Sequence, residues 1–180
     1  MMKFSNTNRG FSLLESMVAI GILLVAVVAP LSTIGDSLAQ IYVARDQMVA
    51  INLAQEGIEA VRQVRDSNMI KGWNEGTRTT DWDAGLGEGN YTVDTEENLQ
   101  IKSLTAGEEG ALYQKTDGTY TQTAGVGMVP TKFSRIVTIS SISGVDYEKK
   151  ITSRVSWKTA GGTDKKIEVS ESLFGINTTP

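Results

Sequence analysis

The sequence contains neither cysteine nor histidine. Without cysteine, the chain has no disulfide framework, no thiolate metal site, no cysteine nucleophile and no site for lipoprotein acylation. Without histidine, it lacks the usual general base and the commonest ligand for transition metals, and a Ser-His-Asp triad is excluded. No carboxylate pair stands out as an acid and base for catalysis. We therefore expect neither an enzyme nor a cofactor-binding protein.

Positive charge is also scarce. The chain has a net charge of −4, and its first ten residues hold Lys3 and Arg9 but no acid. The remainder has 15 basic and 21 acidic residues, a net charge of −6. An acidic body argues against binding to a phosphate backbone, and no phosphate-cradling motif follows a strand-like run. Direct binding of nucleic acid is therefore not expected.

The longest apolar run covers residues 11–35 and contains a single charged residue, Glu15. As a helix, these residues would extend roughly 37 Å, enough to cross a bilayer core about 30 Å thick. Lys3 and Arg9 precede the run, and the next basic residue is Arg45. This asymmetry predicts a cytoplasmic N-terminus with the remainder outside.

A secretory signal peptide and a plain signal anchor are alternative interpretations of this run. The only small-residue cleavage site, ending at Ala29, is followed by Pro30, which makes a poor scissile bond. Neither alternative explains Glu15, because a carboxylate in an apolar helix is costly in lipid unless it is paired or lies near the interface. Pro30 is expected to bend or loosen the helix locally.

The run Gly10-Phe11-Ser12-Leu13-Leu14-Glu15 resembles the cleavage and methylation motif of type IV prepilins and of the related pseudopilins of type II secretion. The resemblance covers residues 1–35 and extends more weakly to about residue 68. Within the family, the sequence is more similar to minor pilins and minor pseudopilins than to a major pilin.

The resemblance implies three residue roles. Gly10 is the last leader residue, cut by a prepilin peptidase; Phe11 becomes the N-methylated N-terminus; and Glu15 pairs with the Phe11 amine of a neighbouring subunit. Other pilin or pseudopilin subunits and an inner-membrane assembly platform are the further partners implied. In a bundle of staggered helices the two charges would neutralise each other, and removing one partner of a buried pair typically costs about 3–5 kcal/mol. The alternative is that Glu15 only reaches the membrane surface.

Residues 36–66 keep a helical pattern in which apolar residues recur every three or four positions. This stripe is expected to pack on the protein's own sheet, with Glu59 and Arg62 interacting across one turn and the helix ending near Asn68. The stripe consists of Ile41, Ala44, Met48, Ile51, Ala54, Ile58, Val61 and Val64.

The rest of the chain is predicted to be β-rich. Ser143-Gly144 and Gly161-Gly162 supply turns for a three-stranded antiparallel meander with one apolar face, which the amphipathic half of the helix would cover. The predicted strands cover residues 91–94, 99–103, 111–115, 119–122, 133–143, 147–158 and 165–174.

Two groups of residues in the β-rich region are candidate sites. Asp81, Asp83 and Glu88 could supply oxygen ligands for calcium, although their spacing does not complete an EF-hand, and an ordinary acidic turn is the alternative. Three aromatic residues could form an exposed partner surface, or anchor loops to the core. These are Trp73, Trp82 and Tyr91.

The sequence thus predicts an α+β, pilin-like fold with a leader (1–10), a transmembrane or filament-core helix (11–35), an amphipathic helix half (36–68) and a globular β-rich head (69–180). The predicted function is a structural subunit, minor in abundance, of a type IV pilus or related filament. A type II secretion pseudopilin and a membrane-anchored extracellular binding module are the alternatives. Before assembly it would be a single-pass membrane protein, and afterwards part of a surface pilus or periplasmic pseudopilus. Many pilins staple a C-terminal loop with a disulfide, and this chain departs from them.

Overall fold

A computed structural model describes residues 10–75, 81–95, 99–105, 107–159 and 161–175. It contains one long helix followed by strands, which confirms the predicted α+β layout. The chain divides into two compact units, residues 1–44 and 45–180, and each is described by itself. The elements are α1 (Leu13–Asn74), β1 (Gly89–Asp94), β2 (Gln100–Ser103), β3 (Ala111–Gln114), β4 (Tyr120–Thr121), β5 (Val129–Ile142), β6 (Val145–Lys158) and β7 (Asp164–Phe174).

In the first unit, α1 is apolar on every side up to about residue 35. Its large hydrophobic side chains, from Leu13 to Tyr42, are all exposed. By length and composition, this is the one helix in the described part of the chain that could cross a membrane. Pro30 lies inside the helix, which continues through it from Leu13 to Asn74. A helix of this kind requires lipid or other helices around it.

In the second unit, the described strands form one antiparallel sheet built on β5. β6 pairs along β5 from Phe133 to Ile142, and β7 pairs with β6. This is the predicted meander, and its turns include Gly144 and Gly162 at φ 79° and 77°, a region that favours glycine. β1 and β3 both pair with the opposite edge of β5, an addition that the sequence did not predict.

The predicted strands are confirmed within a few residues, but α1 does not end near Asn68. It continues to Asn74, so the predicted boundary was wrong by about two turns. Asn68 remains helical and its amide donates to the carbonyl oxygens of Trp82 and Ala84, at 3.1 and 2.9 Å. The asparagine that predicted a helix end thus instead attaches the loop after α1 to the helix.

The core lies between α1 and the sheet. On the helix, Ala50, Leu53, Ala54, Ile58 and Val61 are buried. The predicted stripe is confirmed at Ala54, Ile58 and Val61, which are buried, and at Val64, which is partly buried against the core. Its other members are exposed, and the prediction was wrong there: Ile41, Ala44, Met48 and Ile51. The sheet contributes a face of alternating residues, which includes Val93, Val137, Ile139, Ile151, Val155, Trp157 and Leu173.

α1 lies close against the sheet at Gly57. A Cβ on this residue would lie 2.6 Å from Ser153 Oγ and 3.0 Å from Val137 Cγ2. The Ser153 hydroxyl is fully buried and has no hydrogen-bond partner among the residues that the structure describes. Only a residue without a side chain can occupy position 57 at this separation, so glycine sets the helix–sheet distance.

Arg135 is a buried cation among these apolar residues, with 1% of its surface exposed. Its guanidinium donates to the carbonyl oxygens of Leu53 on α1 and Val93 on β1, at 3.0 and 2.6 Å. Glu56 Oε2 lies 3.4 Å from the same guanidinium. Burial lowers the pKa of Arg135, and the nearby Glu56 carboxylate opposes that effect. The arginine therefore joins α1, β1 and β5 through charged hydrogen bonds.

The backbone of Arg135 lies in a gap between β1 and β3, and the Gln122 side chain fills it. The Gln122 amide donates to the carbonyl oxygens of Arg135 and Gly110, at 2.8 and 2.9 Å, and accepts from Val93 N–H at 2.8 Å. A side-chain amide thus supplies the donor and acceptor that a strand backbone would otherwise provide.

We expect Gly57→Ala to destabilise the head by about 1 kcal/mol. Alanine favours a helix by about 1 kcal/mol, but overpacking typically costs about 1–3 kcal/mol. Urea unfolding of residues 36–180 measures this; that fragment should be soluble and cooperative because it lacks the apolar run. In the Ser153→Ala background the cost should shrink, since the closest clashing atom is gone. An equal loss of stability in both backgrounds would show that the alanine side chain does not clash with Ser153 Oγ.

Candidate functional site

The candidate site is the beginning of α1, where Ser12 caps the helix. Ser12 Oγ accepts a hydrogen bond from the Glu15 backbone N–H at 3.2 Å, and the Ser12 carbonyl oxygen accepts from Ser16 N–H at 3.1 Å. Leu13 is the first helical residue. Ser12 therefore satisfies one of the N–H groups that a helix leaves unpaired in its first turn.

The sequence signal for this cap is Ser12-Leu13-Leu14-Glu15, the spacing of a capping box. These residues also belong to the cleavage motif, and the sequence analysis did not predict the cap. Glu15 occupies the third helical position, where a carboxylate is favoured by the partial positive charge of the helix N-terminus. Its side chain is exposed in the isolated chain.

Gly10 and Phe11 lie outside the helix and are exposed, Phe11 to 78%. The peptide bond between them therefore has no part in the helical hydrogen-bond ladder. The predicted roles of Gly10, Phe11 and Glu15 concern other molecules and stay predictions. The geometry places an open peptide bond and a carboxylate within five residues of each other, at the edge of the apolar helix.

In the head, the acidic loop that could have bound calcium is held by a lysine. Lys149 Nζ lies 2.6 Å from Asp83 Oδ2 and 2.7 Å from the Leu86 carbonyl oxygen, and 6.0 Å from the centre of the Trp82 ring. The ammonium thus already provides a cation for two oxygen atoms of this loop.

The other two calcium candidates do not join this arrangement. Glu88 Oε1 accepts the Ser141 N–H at 3.0 Å, and hydrogen bonds from Ser141 hold the pKa of Glu88 below its usual value. Asp81 is exposed. Across the described ranges, no group of three or more carboxylates is placed to hold a metal ion.

The three aromatic candidates separate into two kinds. Trp82 is buried at 4% exposure, and Tyr91 packs against the core while its hydroxyl donates to the Gly87 carbonyl oxygen at 2.9 Å. Trp73 is 73% exposed at the end of α1. The three aromatic residues therefore do not form a shared exposed surface. Trp82 and Tyr91 anchor loops to the core, which was the alternative interpretation.

We expect Lys149→Met to destabilise the head by about 2 kcal/mol, because a charged group with two hydrogen-bonded oxygens is lost from a largely buried position. Thermal unfolding of residues 36–180 measures the change. Lys150→Met is the matched control, since Lys150 lies on the opposite face of β6 and is exposed. In the wild type, millimolar calcium should leave the Tm unchanged; a rise in Tm of several degrees would contradict this account of the loop.

The comparisons with known proteins concern the N-terminal segment. Residues 5–29 match the family model described as "Prokaryotic N-terminal methylation motif". Neither the curated proteins nor the solved structures give a match to the chain. The matched range includes the open Gly10–Phe11 bond, the Ser12 cap and Glu15. On this evidence, the chain carries the prepilin-type N-terminal methylation motif at the start of a long apolar helix.

Proposed function

We propose that the chain is a minor structural subunit of a type IV pilus or a related filament. A prepilin peptidase cuts it after Gly10, the new Phe11 amine is methylated, and the mature protein assembles through α1. The match of residues 5–29 to the methylation motif is the observation that carries the proposal. The protein is the substrate of an enzyme and not an enzyme itself.

The apolar half of α1 supports a protein that is first in the membrane and later in a filament. Its side chains are exposed on all sides, so burial must come from lipid before assembly and from neighbouring helices afterwards. Lys3 and Arg9 favour a cytoplasmic leader and an external head. The inner-membrane assembly platform would move the subunit from the first environment to the second.

Glu15 supports assembly over simple anchoring. In lipid an unpaired carboxylate is unfavourable, and the amine released by cleavage at Phe11 is a cation close to it in sequence. In a staggered bundle, the amine of one subunit and Glu15 of the next would neutralise each other. A membrane-anchored binding module would need neither the cut nor this pair.

A type II secretion pseudopilin is the second candidate, because the methylation motif is common to both kinds of protein. The two functions differ in where the filament ends. A pilus subunit is recovered in filaments sheared from the cell surface, whereas a pseudopilin stays in the periplasm. Neighbouring genes add a second criterion: a retraction motor favours the pilus, and a secretin with a secretion ATPase favours the pseudopilin.

The mature chain is expected to begin at an N-methylated Phe11, as read by mass spectrometry of the N-terminal peptide from native cells. Gly10→Val should block cutting, because a branched side chain would obstruct a peptidase site adapted to glycine. Within the chain, a Cβ at Gly10 or at Gly21 would meet nothing within 4 Å, so Gly21→Val is a matched control that should be cut normally. A start at Met1, Met2 or Pro30 with the peptidase present would refute the processing step.

Glu15→Leu is expected to insert in the membrane and be cut normally, yet to fall at least tenfold in sheared filaments. The buried amine would lose its partner, a loss of about 3 kcal/mol or more. Glu15→Asp keeps the charge and should assemble better than Glu15→Leu. Blots of sheared and membrane fractions measure both. Wild-type amounts of Glu15→Leu in filaments would show that the intersubunit pair is wrong.

A further inference from the structure

We propose that Ser12 is a positioning residue for leader removal. By capping α1, it fixes the first helical residue at Leu13, three residues beyond Gly10, and keeps the Gly10–Phe11 bond in non-helical chain. The inference rests on the proposed function, because it assumes that a peptidase cuts this bond. It assigns Ser12 a part in that reaction through the conformation of the substrate and not through contact with the enzyme.

The geometry supports this role. Ser12 is the last non-helical residue, and its Oγ accepts the Glu15 N–H at 3.2 Å while its carbonyl oxygen accepts the first helical hydrogen bond, from Ser16 N–H at 3.1 Å. Side-chain capping of this kind defines where a helix begins. Gly10 and Phe11 remain exposed on the other side of the cap.

Cutting requires an open backbone at the scissile bond. A peptide bond inside a helix has its N–H and carbonyl groups in helical hydrogen bonds, whereas exposed irregular segments are the preferred sites of proteolysis. One residue separates the bond from the capped helix in this chain. A small shift of the helix start towards the N-terminus would therefore enclose the bond.

The sequence before Gly10 makes such a shift available. Ser5, Asn6, Thr7 and Asn8 are all residues that cap helices well. If Ser12 loses its hydroxyl, a helix capped by Asn8 would contain Gly10 and Phe11 in its first turn. The Phe11 N–H would then bond to the cap and the Gly10 carbonyl oxygen would accept a helical hydrogen bond. Fraying in the opposite direction is disfavoured in a membrane, because it would break backbone hydrogen bonds of Leu13 and Leu14 in apolar surroundings.

The test is a time course of cutting for the full chain in membranes that contain the peptidase. Ser12→Ala should be cut more slowly, by at least twofold and at most about fivefold. Loss of a capping hydrogen bond worth about 1 kcal/mol lowers the ratio of open to helical Gly10–Phe11 bonds about fivefold. Ser12→Thr keeps the capping oxygen and should stay within twofold of the wild type. Ser16→Ala is the matched control: its hydroxyl also hydrogen-bonds in this turn, to the Ser12 carbonyl oxygen at 3.4 Å, but does not cap the helix.

NMR chemical shifts of the chain in micelles give a second readout that a merely structural role would not move. Phe11 should have a larger helical fraction in Ser12→Ala than in the wild type or in Ser12→Thr. Wild-type cutting of Ser12→Ala overturns the inference and leaves the proposed function intact. Slow cutting of both Ser12 variants with an unchanged helix start also overturns it, because the peptidase would then read the serine directly. Failure to cut the wild type would instead refute the proposed function.

Discussion

Covering the apolar surface of residues 11–35 is the constraint on which the rest of the molecule depends. Every large hydrophobic side chain of this segment is exposed in the isolated chain, and a surface of that kind is stable only in lipid or among other helices. The single charge, Glu15, lies at the edge of the segment. An exposed Gly10–Phe11 bond, a capped helix start and a carboxylate follow one another within residues 10–15, at the edge of this segment.

In the second unit, residues 45–180, the constraint is the attachment of an amphipathic helix to a sheet. The contact face of the helix uses small residues at Ala50, Ala54 and Gly57, which let the backbone of α1 come close to the strands. Arg135 then crosses the core and binds carbonyl oxygens of both layers. A chain without disulfides thus obtains cross-links between distant segments from charged hydrogen bonds to backbone groups, each of which would be costly to leave unpaired.

Much of this architecture could be predicted, because the alternation of apolar and polar residues along a strand and the residues of a turn are local signals in the sequence. The ends of the three strands from Val129 onwards were predicted to within four residues. The predicted contact face of α1 was wrong at Met48 and Ile51, which are exposed. The buried face also includes Ala50, Leu53 and Gly57, which the stripe left out. Arg135 lies at a core-facing position between Phe133 and Val137 in the strand pattern. An arginine at such a position needs hydrogen-bond acceptors in the core, which here are on the helix and on the sheet. The partners of Lys149 lie more than sixty residues away and have no local signature.

The contact between Gly57 and Ser153 also limits sliding of the helix over the strands. One turn of helix moves a residue about 5.4 Å along the axis and brings the residue four positions away to the same place. At position 57 those residues are Leu53 and Val61, and neither would fit where a single Cβ already approaches Ser153 Oγ to 2.6 Å. A force directed along α1 within residues 45–74 therefore meets a steric barrier to sliding. Under tension, α1 should separate from the sheet before it slips along the sheet by one turn.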